Sequence, residues 1–246
     1  MKNWIKRERE DYRVLLRSVP SLVVSLFVVS VIMMNLLANK ELFTNDYLAL
    51  DCGFTLSWVS FLCMDTLCKR FGGRAAAKIS ILAMTINLLA CLVFKLLSFT
   101  PGMWGEYYST GSLDVNNALN ATFGGSWYVV FGSSLAMFVS SILNAKINSL
   151  LGRRLRNTSF RDFAIRSYVS TAIAQFVDNM IFAVVVSYHF FGWTPIQVVC
   201  SSIVGAGMEL FCEVVFSPIG YKVSLEWEAD NVGETYIEYR RRLEGK

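Results

Sequence analysis

Residues 195–217 read PIQVVCSSIVGAGMELFCEVVFS, with Glu209 and Glu213 as the only charged positions. At 1.5 Å per residue this stretch makes a helix about 35 Å long, enough to cross a hydrocarbon core about 30 Å thick. A carboxylate at the centre of such a helix costs about 2.5–3.5 kcal/mol, so it faces a bundle interior or a polar cavity and marks a ligand or ion pathway. Five further runs of the same kind lie at 19–38, 47–67, 75–98, 126–151 and 163–191, and they add Asp65 and Asp178 to the buried acids.

No water in a bilayer can satisfy open backbone groups, and these runs lack the alternation of a barrel strand. The expected fold is therefore all-α: a polytopic membrane protein with a bundle of six transmembrane helices. The composition agrees, with 54% hydrophobic residues and a mean hydropathy of +0.44.

Basic residues set the orientation, because short loops rich in Lys and Arg stay in the cytoplasm. Lys2, Lys6, Arg7, Arg9, Arg13 and Arg17 precede the first run. Lys69, Arg70, Arg74 and Lys78 flank the second loop, and Arg153, Arg154, Arg156 and Arg161 fill the fourth. The tail adds Lys222, Arg240, Arg241, Arg242 and Lys246, whereas the alternate loops offer Lys40, Lys95 and nothing. Both termini are expected in the cytoplasm. The organisation is then a basic segment at 1–18, a transporter domain at 19–221 and a charged tail at 222–246, with a solvated helix near 235–243. The first run follows a long segment that mixes Glu8, Glu10 and Asp11 with its bases, so it reads as a retained helix and not a cleaved signal.

The net charge of +4 is explained by this topology, and nucleic-acid binding is an unnecessary inference. The six cysteines have no CxxC pair and a single histidine, His189, beside them, so they are expected to be reduced core residues and no metal or cofactor is expected. A Ser/His hydrolase would need His189, near an outer boundary, to meet a serine deep in the bundle, so the chain does not read as an enzyme. There is no GxxxxGK[ST] pattern, which places any ATP hydrolysis on another chain.

Polar residues recur at intervals of three or four on several runs, which puts them on one helix face. Such stripes are Asp51, Thr55, Trp58, Leu62 and Asp65; Met137, Ser141, Asn144 and Asn148; Ser167, Thr171, Gln175, Asp178 and Phe182; and Gly205, Glu209, Glu213 and Phe216, with Asn35 and Asn39 ending the first helix. The serines and threonines read as hydrogen-bonding glue between helices. Asp178 beside Asn179 reads as functional, because it lies midway along its helix. Glu209 and Glu213, four apart, should not both ionise cheaply, and such a pair suits proton coupling or a shared hydrogen bond. Trp104, Trp127 and Trp193 fall at outer boundaries and Trp4 and Trp227 at inner ones. Trp58 lies mid-span on the face of Asp65, where it either stacks a flat ring or packs the core. The connection 99–125, rich in Gly, Asn and Ser, suits an outer lid or a partly re-entrant segment.

One stretch carries a specific resemblance. RSYVSTAIAQFVDNMIF at 166–182 resembles the signature of the queuosine-precursor transporter family, also called the vitamin-uptake-transporter family. The segment 35–40 is similar to that family's first-helix end, Met64, Asp65 and the Phe71 to Ala76 stretch to its Asp…Tyr-Gly…Ala motif, and 122–126 with Ser134, Asn144 and Arg153 to its fourth-helix start. The likeness covers 35–221. Two features depart from the pattern: Ser140 or Ser141 and Asn144 stand where the family has Gln and Asp, and Glu209 then Glu213 where it has Lys then Glu.

The resemblance implies a multi-pass protein of the bacterial cytoplasmic (inner) membrane that imports queuine, queuosine or preQ-type 7-deazaguanines for tRNA queuosine salvage. A 7-deazaguanine offers N1–H and an exocyclic amine on one edge, which a carboxylate accepts bidentately, while amides address its carbonyl and ring nitrogen. The expected acids are Asp178 and either Glu209 or Glu213, with Asp65 near Trp58. The expected amides are Asn179, Asn144, Gln175 and Asn39, and Trp58 or Phe182 supplies the stacking face. Besides a carrier, the chain suits the substrate-binding subunit of an energised vitamin importer, a carrier of another planar metabolite, or a membrane scaffold. Small residues such as Gly132 and Ser133 leave homo-oligomers open.

Overall fold

The computed structural model describes residues 2–154, 160–243 and 245. Arg156 falls outside them, as do the side chains of Lys2, Trp4, Ser141, Asn148, Arg153, Arg154, Arg161, Ser167 and Lys246. The described chain is helical apart from one hairpin. Its elements are α1 (Lys2–Ser18), α2 (Ser21–Leu37), β1 (Glu41–Thr44), β2 (Ala49–Asp51), α3 (Phe54–Phe71), α4 (Gly73–Leu97), α5 (Gly105–Thr110), α6 (Leu113–Gly125), α7 (Trp127–Arg154), α8 (Phe160–Phe182), a π-helical turn (Ala183–Tyr188), α9 (Pro195–Ala229) and α10 (Glu234–Leu243).

Among the described residues four helical stretches are long and apolar enough to span a membrane: Gly73–Leu97, Leu113–Asn144, Tyr168–Tyr188 and Pro195–Phe216. The pair α1 and α2 makes a fifth only if counted as one broken span, and it is bent by 107° where Pro20 turns the preceding backbone away from the helical region. Leu88, Leu89, Leu92, Val93 and Leu96 of α4 are each more than half exposed, as a helix facing lipid requires.

The run expected at 47–67 needs correction. Its first residues pair as β2 of the antiparallel hairpin, with Phe43 opposite Leu50 and Thr44 opposite Ala49. The helix α3 starts only at Phe54, and Asp51 stands before it and not on its face. Asp51 Oδ1 accepts from the N–H groups of Gly53 at 2.8 Å and Phe54 at 3.2 Å, which satisfies donors that a helix start leaves open. With Asp65, Lys69 and Arg70 among its 18 residues, α3 is not one of those four stretches.

The chain folds as two compact units, one made of Met1–Val31, Leu56–Ile86 and Glu213–Lys246, the other of Ile32–Thr55 and Asn87–Cys212. In the first, α1 packs against α10, and Leu15, Leu67 and Ile79 are fully buried. Lys78 Nζ meets Asp11 Oδ2 and Glu8 Oε2, while Arg74 reaches Glu8 Oε1 at 2.8 Å. Arg70 donates to the Val232 carbonyl at 3.0 Å and pairs with Glu234 at 3.4 Å. The tail helix expected near 235–243 exists, but it is docked and not solvated: Tyr236 is 1% exposed against Phe71, and burial pushes its phenol up to about 12. The helix α9 continues past Pro218 to Ala229, so the boundary expected at 221 falls inside a helix. Gly220 lets that part of α9 approach α3, since a Cβ there would stand 2.6 Å from Thr66 Oγ1.

In the second unit α7 packs along α8, and Gly132 leaves the room that Val186 fills. The connection expected as a lid forms α5 and α6, tied by Trp104, whose Nε1 donates to Asn120 Oδ1 at 2.8 Å. Many span hydroxyls bond a carbonyl of their own preceding turn, as Ser134 does to Val130, while Ser140 and Ser202 also reach Asp178 and Met180 of α8. Of the six cysteines only Cys63 is buried, which corrects the expectation of six core residues. Trp193 is also corrected: it is 6% exposed, packed with Ala49, Ala183 and Val198, and not a boundary anchor facing headgroups.

Candidate functional site

The second unit gathers the polar side chains of α8 and α9. Asp178 Oδ1 accepts from Ser140 Oγ of α7 at 2.7 Å. On the next residue, Asn179 Nδ2 donates to the Gln175 carbonyl at 2.9 Å and to Glu209 Oε2 of α9 at 2.9 Å. Gln175 is 2% exposed, yet neither polar atom of its side chain has a partner among the described residues. Asn144 Oδ1 is buried and unpaired in the same sense. A buried amide without partners loses about 1–3 kcal/mol per unsatisfied group, a cost that a ligand or water would remove.

Of the ten residues expected to form the site, Asn39, Asn144, Gln175, Asp178, Asn179, Phe182 and Glu209 lie in this unit. Asn39 is committed elsewhere: its Oδ1 accepts from Tyr128 Oη at 3.0 Å, and its Nδ2 bonds the Leu36 carbonyl at 3.0 Å. Trp58, Asp65 and Glu213 lie in the other unit. There Trp58 stacks on Phe216 with centroids 4.3 Å apart, Glu213 Oε2 is buried without a partner among the described residues, and Asp65 is exposed on α3.

Beside Asn179 opens a small cleft of about 30 Å³. Leu50, Asp51 and Phe54 contribute to it from the hairpin and the start of α3, and Asn179, Phe182, Ala183 and Ser187 from α8 and the π turn. Trp193, Ser201, Ser202 and Gly205 complete it. Three hydrogen bonds hold the hairpin to α9 and the residues before it: Trp193 Nε1 to Glu41 Oε1 at 2.8 Å, Gln197 Nε2 to the Asn45 carbonyl at 2.6 Å, and the Ala49 N–H to Ser201 Oγ at 3.1 Å. A π turn carries one residue more per turn than an α-helix, which re-aims the side chains it holds, and here Ala183 and Ser187 come to the cleft.

Reading the sequence as uninterrupted helices put Asp51 on a helix face and Trp193 at an outer boundary, and did not single out Phe54, Ser187, Ser201 and Ser202. The one local signal was Asp51 before Gly53 and Phe54, a helix-capping pattern. His189 is exposed with Nδ1 2.7 Å from the Val184 carbonyl, and no group of three or more His, Cys, Asp or Glu side chains among the described residues could hold a metal ion.

Besides Glu209, Gly205 brings α9 against the Asn179 amide. A Cβ there would stand 2.6 Å from Asn179 Oδ1. Gly205→Ala is expected to displace that side chain and to destabilise the protein by about 1–3 kcal/mol, read as a lower Tm in detergent. An unchanged Tm would mean that Asn179 yields freely.

The family described as "Putative vitamin uptake transporter" matches residues 51–223, well over half of the chain and every expected site residue except Asn39. No curated protein and no solved structure matches it. The run of apolar helices, the acids and amides gathered between them and this match agree, and the chain belongs to the vitamin uptake transporter family.

Proposed function

We propose that this transporter imports queuosine precursors or related 7-deazaguanines, such as queuine, queuosine or preQ-type bases, across the bacterial inner membrane for tRNA queuosine salvage. The observation that carries the reading is the polar knot of Gln175, Asp178, Asn179 and Glu209 among apolar helices, with buried amide atoms still unpaired. Acids accept the N–H edge of such a base and amides answer its carbonyl, so the knot suits a purine-like ring better than an aliphatic acid. Transport proceeds by alternating access about a mid-membrane site, and the chain performs no catalysis.

Six crossings with both termini in the cytoplasm fit this reading. The packing of the N-terminal α1 on the C-terminal α10 supports both ends lying on one side, and on that reading the number of crossings is even. The helices α2 and α3 therefore either both cross or neither does. The 17 residues of α2 carry no charge, which favours crossing, and α3 at about 27 Å supplies the return.

The test is uptake of labelled queuine, queuosine and 7-deazaguanine precursors by bacteria that cannot make queuosine, with and without the chain, scored as queuosine in tRNA. Restoration by the chain is the expected result. No restoration in cells with the protein in their membrane would overturn the substrate. Uptake in cells but not in proteoliposomes of the chain alone would favour the second reading, a binding subunit that needs an energising partner.

A further inference from the structure

We infer that α1 lies along the cytoplasmic surface of the membrane and binds the headgroups of anionic phospholipids through one exposed stripe of bases, Lys6, Arg9, Arg13 and Arg17. The placement rests on α2 crossing the membrane, as in the topology above, and is independent of the substrate.

Helix geometry divides α1 into two faces. At about 100° per residue the four bases fall within about 80° of arc, and Glu8 and Asp11 lie on the opposite side. Those acids point into the protein, where Lys78 and Arg74 of α4 neutralise them. The four bases are exposed, and none has an ion-pair partner among the described residues. One helix thus turns its acids inward and its bases outward.

The flanks of the stripe set its direction. Beside Arg9 stand Ile5 and Leu16, 54% and 43% exposed. On the other flank stands Glu10, within electrostatic reach of Tyr239 of α10. The helix α10 has five charged residues among ten and belongs in water, so the apolar flank of α1 faces away from it, toward the acyl chains. Apolar residues at the acyl boundary, bases at the phosphates and an acid in water is the order of a helix lying in the interface. Pro20 supplies the angle: α1 and α2 meet at 107°, close to perpendicular, so a crossing α2 lays α1 along the surface.

The tail, with arginine at 240, 241 and 242, looks like the stronger lipid site in the sequence. In the structure Arg241 pairs with Glu234 at 3.3 Å and Arg242 with Glu238 at 3.2 Å, so those bases are answered within their own helix. The stripe on α1 is left for external anions. Four or more bases beside a span recruit anionic lipid, and a leaflet matches the charge, the angle and the apolar flank together, whereas a nucleic acid matches the charge alone.

The full chain in detergent is titrated with phosphatidylglycerol and with phosphatidylcholine, and bound lipid is counted by native mass spectrometry. The wild type is expected to bind phosphatidylglycerol more tightly, by about fivefold for each base engaged. Lys6→Gln, Arg9→Gln, Arg13→Gln and Arg17→Gln together should abolish that preference and leave the Tm in phosphatidylcholine nanodiscs unchanged. Glu10→Lys should strengthen it about fivefold or more, which keeps the test decisive if the quadruple variant misfolds. Arg241→Gln with Arg242→Gln should leave it as it is. A wild type without preference, or a quadruple variant that keeps it, overturns the proposal, as does displacement of the bound phosphatidylglycerol by an RNA oligonucleotide. Alkaline phosphatase fused after Asn39 tests the crossing separately. Activity outside the cytoplasm is expected, and its absence overturns the placement of α1 while leaving the substrate to the uptake assay.

Discussion

Asp178→Ala is expected to lower uptake of 7-deazaguanine-type bases about a hundredfold at subsaturating concentration, with the protein still present in the membrane. The bond from Ser140 occupies Oδ1 and leaves the rest of the carboxylate to a ligand. Two charge-assisted hydrogen bonds are worth about 1.5–3 kcal/mol each, and each 1.4 kcal/mol is about tenfold in affinity. Asp178→Asn keeps the shape and can keep the Ser140 bond but presents a donor to a donor edge, so it should fail as badly as alanine. Ser140→Ala separates the roles, because it removes only the group that holds the carboxylate and should cost about tenfold or less. Measured uptake of Asp178→Ala within threefold of the wild type would remove Asp178 from the reading acids and leave Glu209.

Lys78→Met is expected to destabilise the first unit by about 3–5 kcal/mol, because it leaves buried acid without its partner. Asp11 is 1% exposed, and after the loss of Lys78 the Arg74 Nε near its Oδ2 is 3.8 Å away. The double variant Asp11→Leu with Lys78→Met removes both charges and should recover most of the Tm, as paired replacement of buried ions does. A double-variant loss equal to the sum of the two single-variant losses would show that the pair is uncoupled. The same cluster fixes a pH response. The hydrogen bond from Lys78 holds the Glu8 carboxyl below the usual range, so its folded value lies below its unfolded one. The stability it contributes is present above the ordinary carboxylate value of about 4.3 and is lost as pH falls through the lower, folded value. A melting series should be flat from neutral pH to about pH 5 and fall below about pH 4.

That cluster also changes how the basic residues are counted. Lys78 and Arg74 read in the sequence as positive charges flanking a cytoplasmic loop, and both are spent on Glu8 and Asp11 of α1. Their charge still lies on that side, but its neutralisation depends on a contact between residues more than sixty positions apart, which no local pattern reveals.

Hydropathy and the backbone's need for internal hydrogen bonds determined the helices: α4, α7, α8 and α9 each begin within a few residues of the expected runs, because a bilayer leaves an apolar run of that length no other fold, whereas α8 gives way to the π turn before its expected end and α9 runs past its own. Spacing also determined that Asp178, Asn179 and Glu209 would stand inside such helices. Only tertiary structure decided the rest. The hairpin at Glu41–Asp51 depends on pairing between strands and on bonds from Trp193, Gln197 and Ser201, residues about 150 positions away, so its sequence alone read as the start of a span. The same distant contacts bury Trp193, open the cleft around Ser187 and commit Asn39 to Tyr128. Periodicity reports which face of a helix a residue occupies, but what meets that face is set by the packing of other elements, and there the sequence is silent.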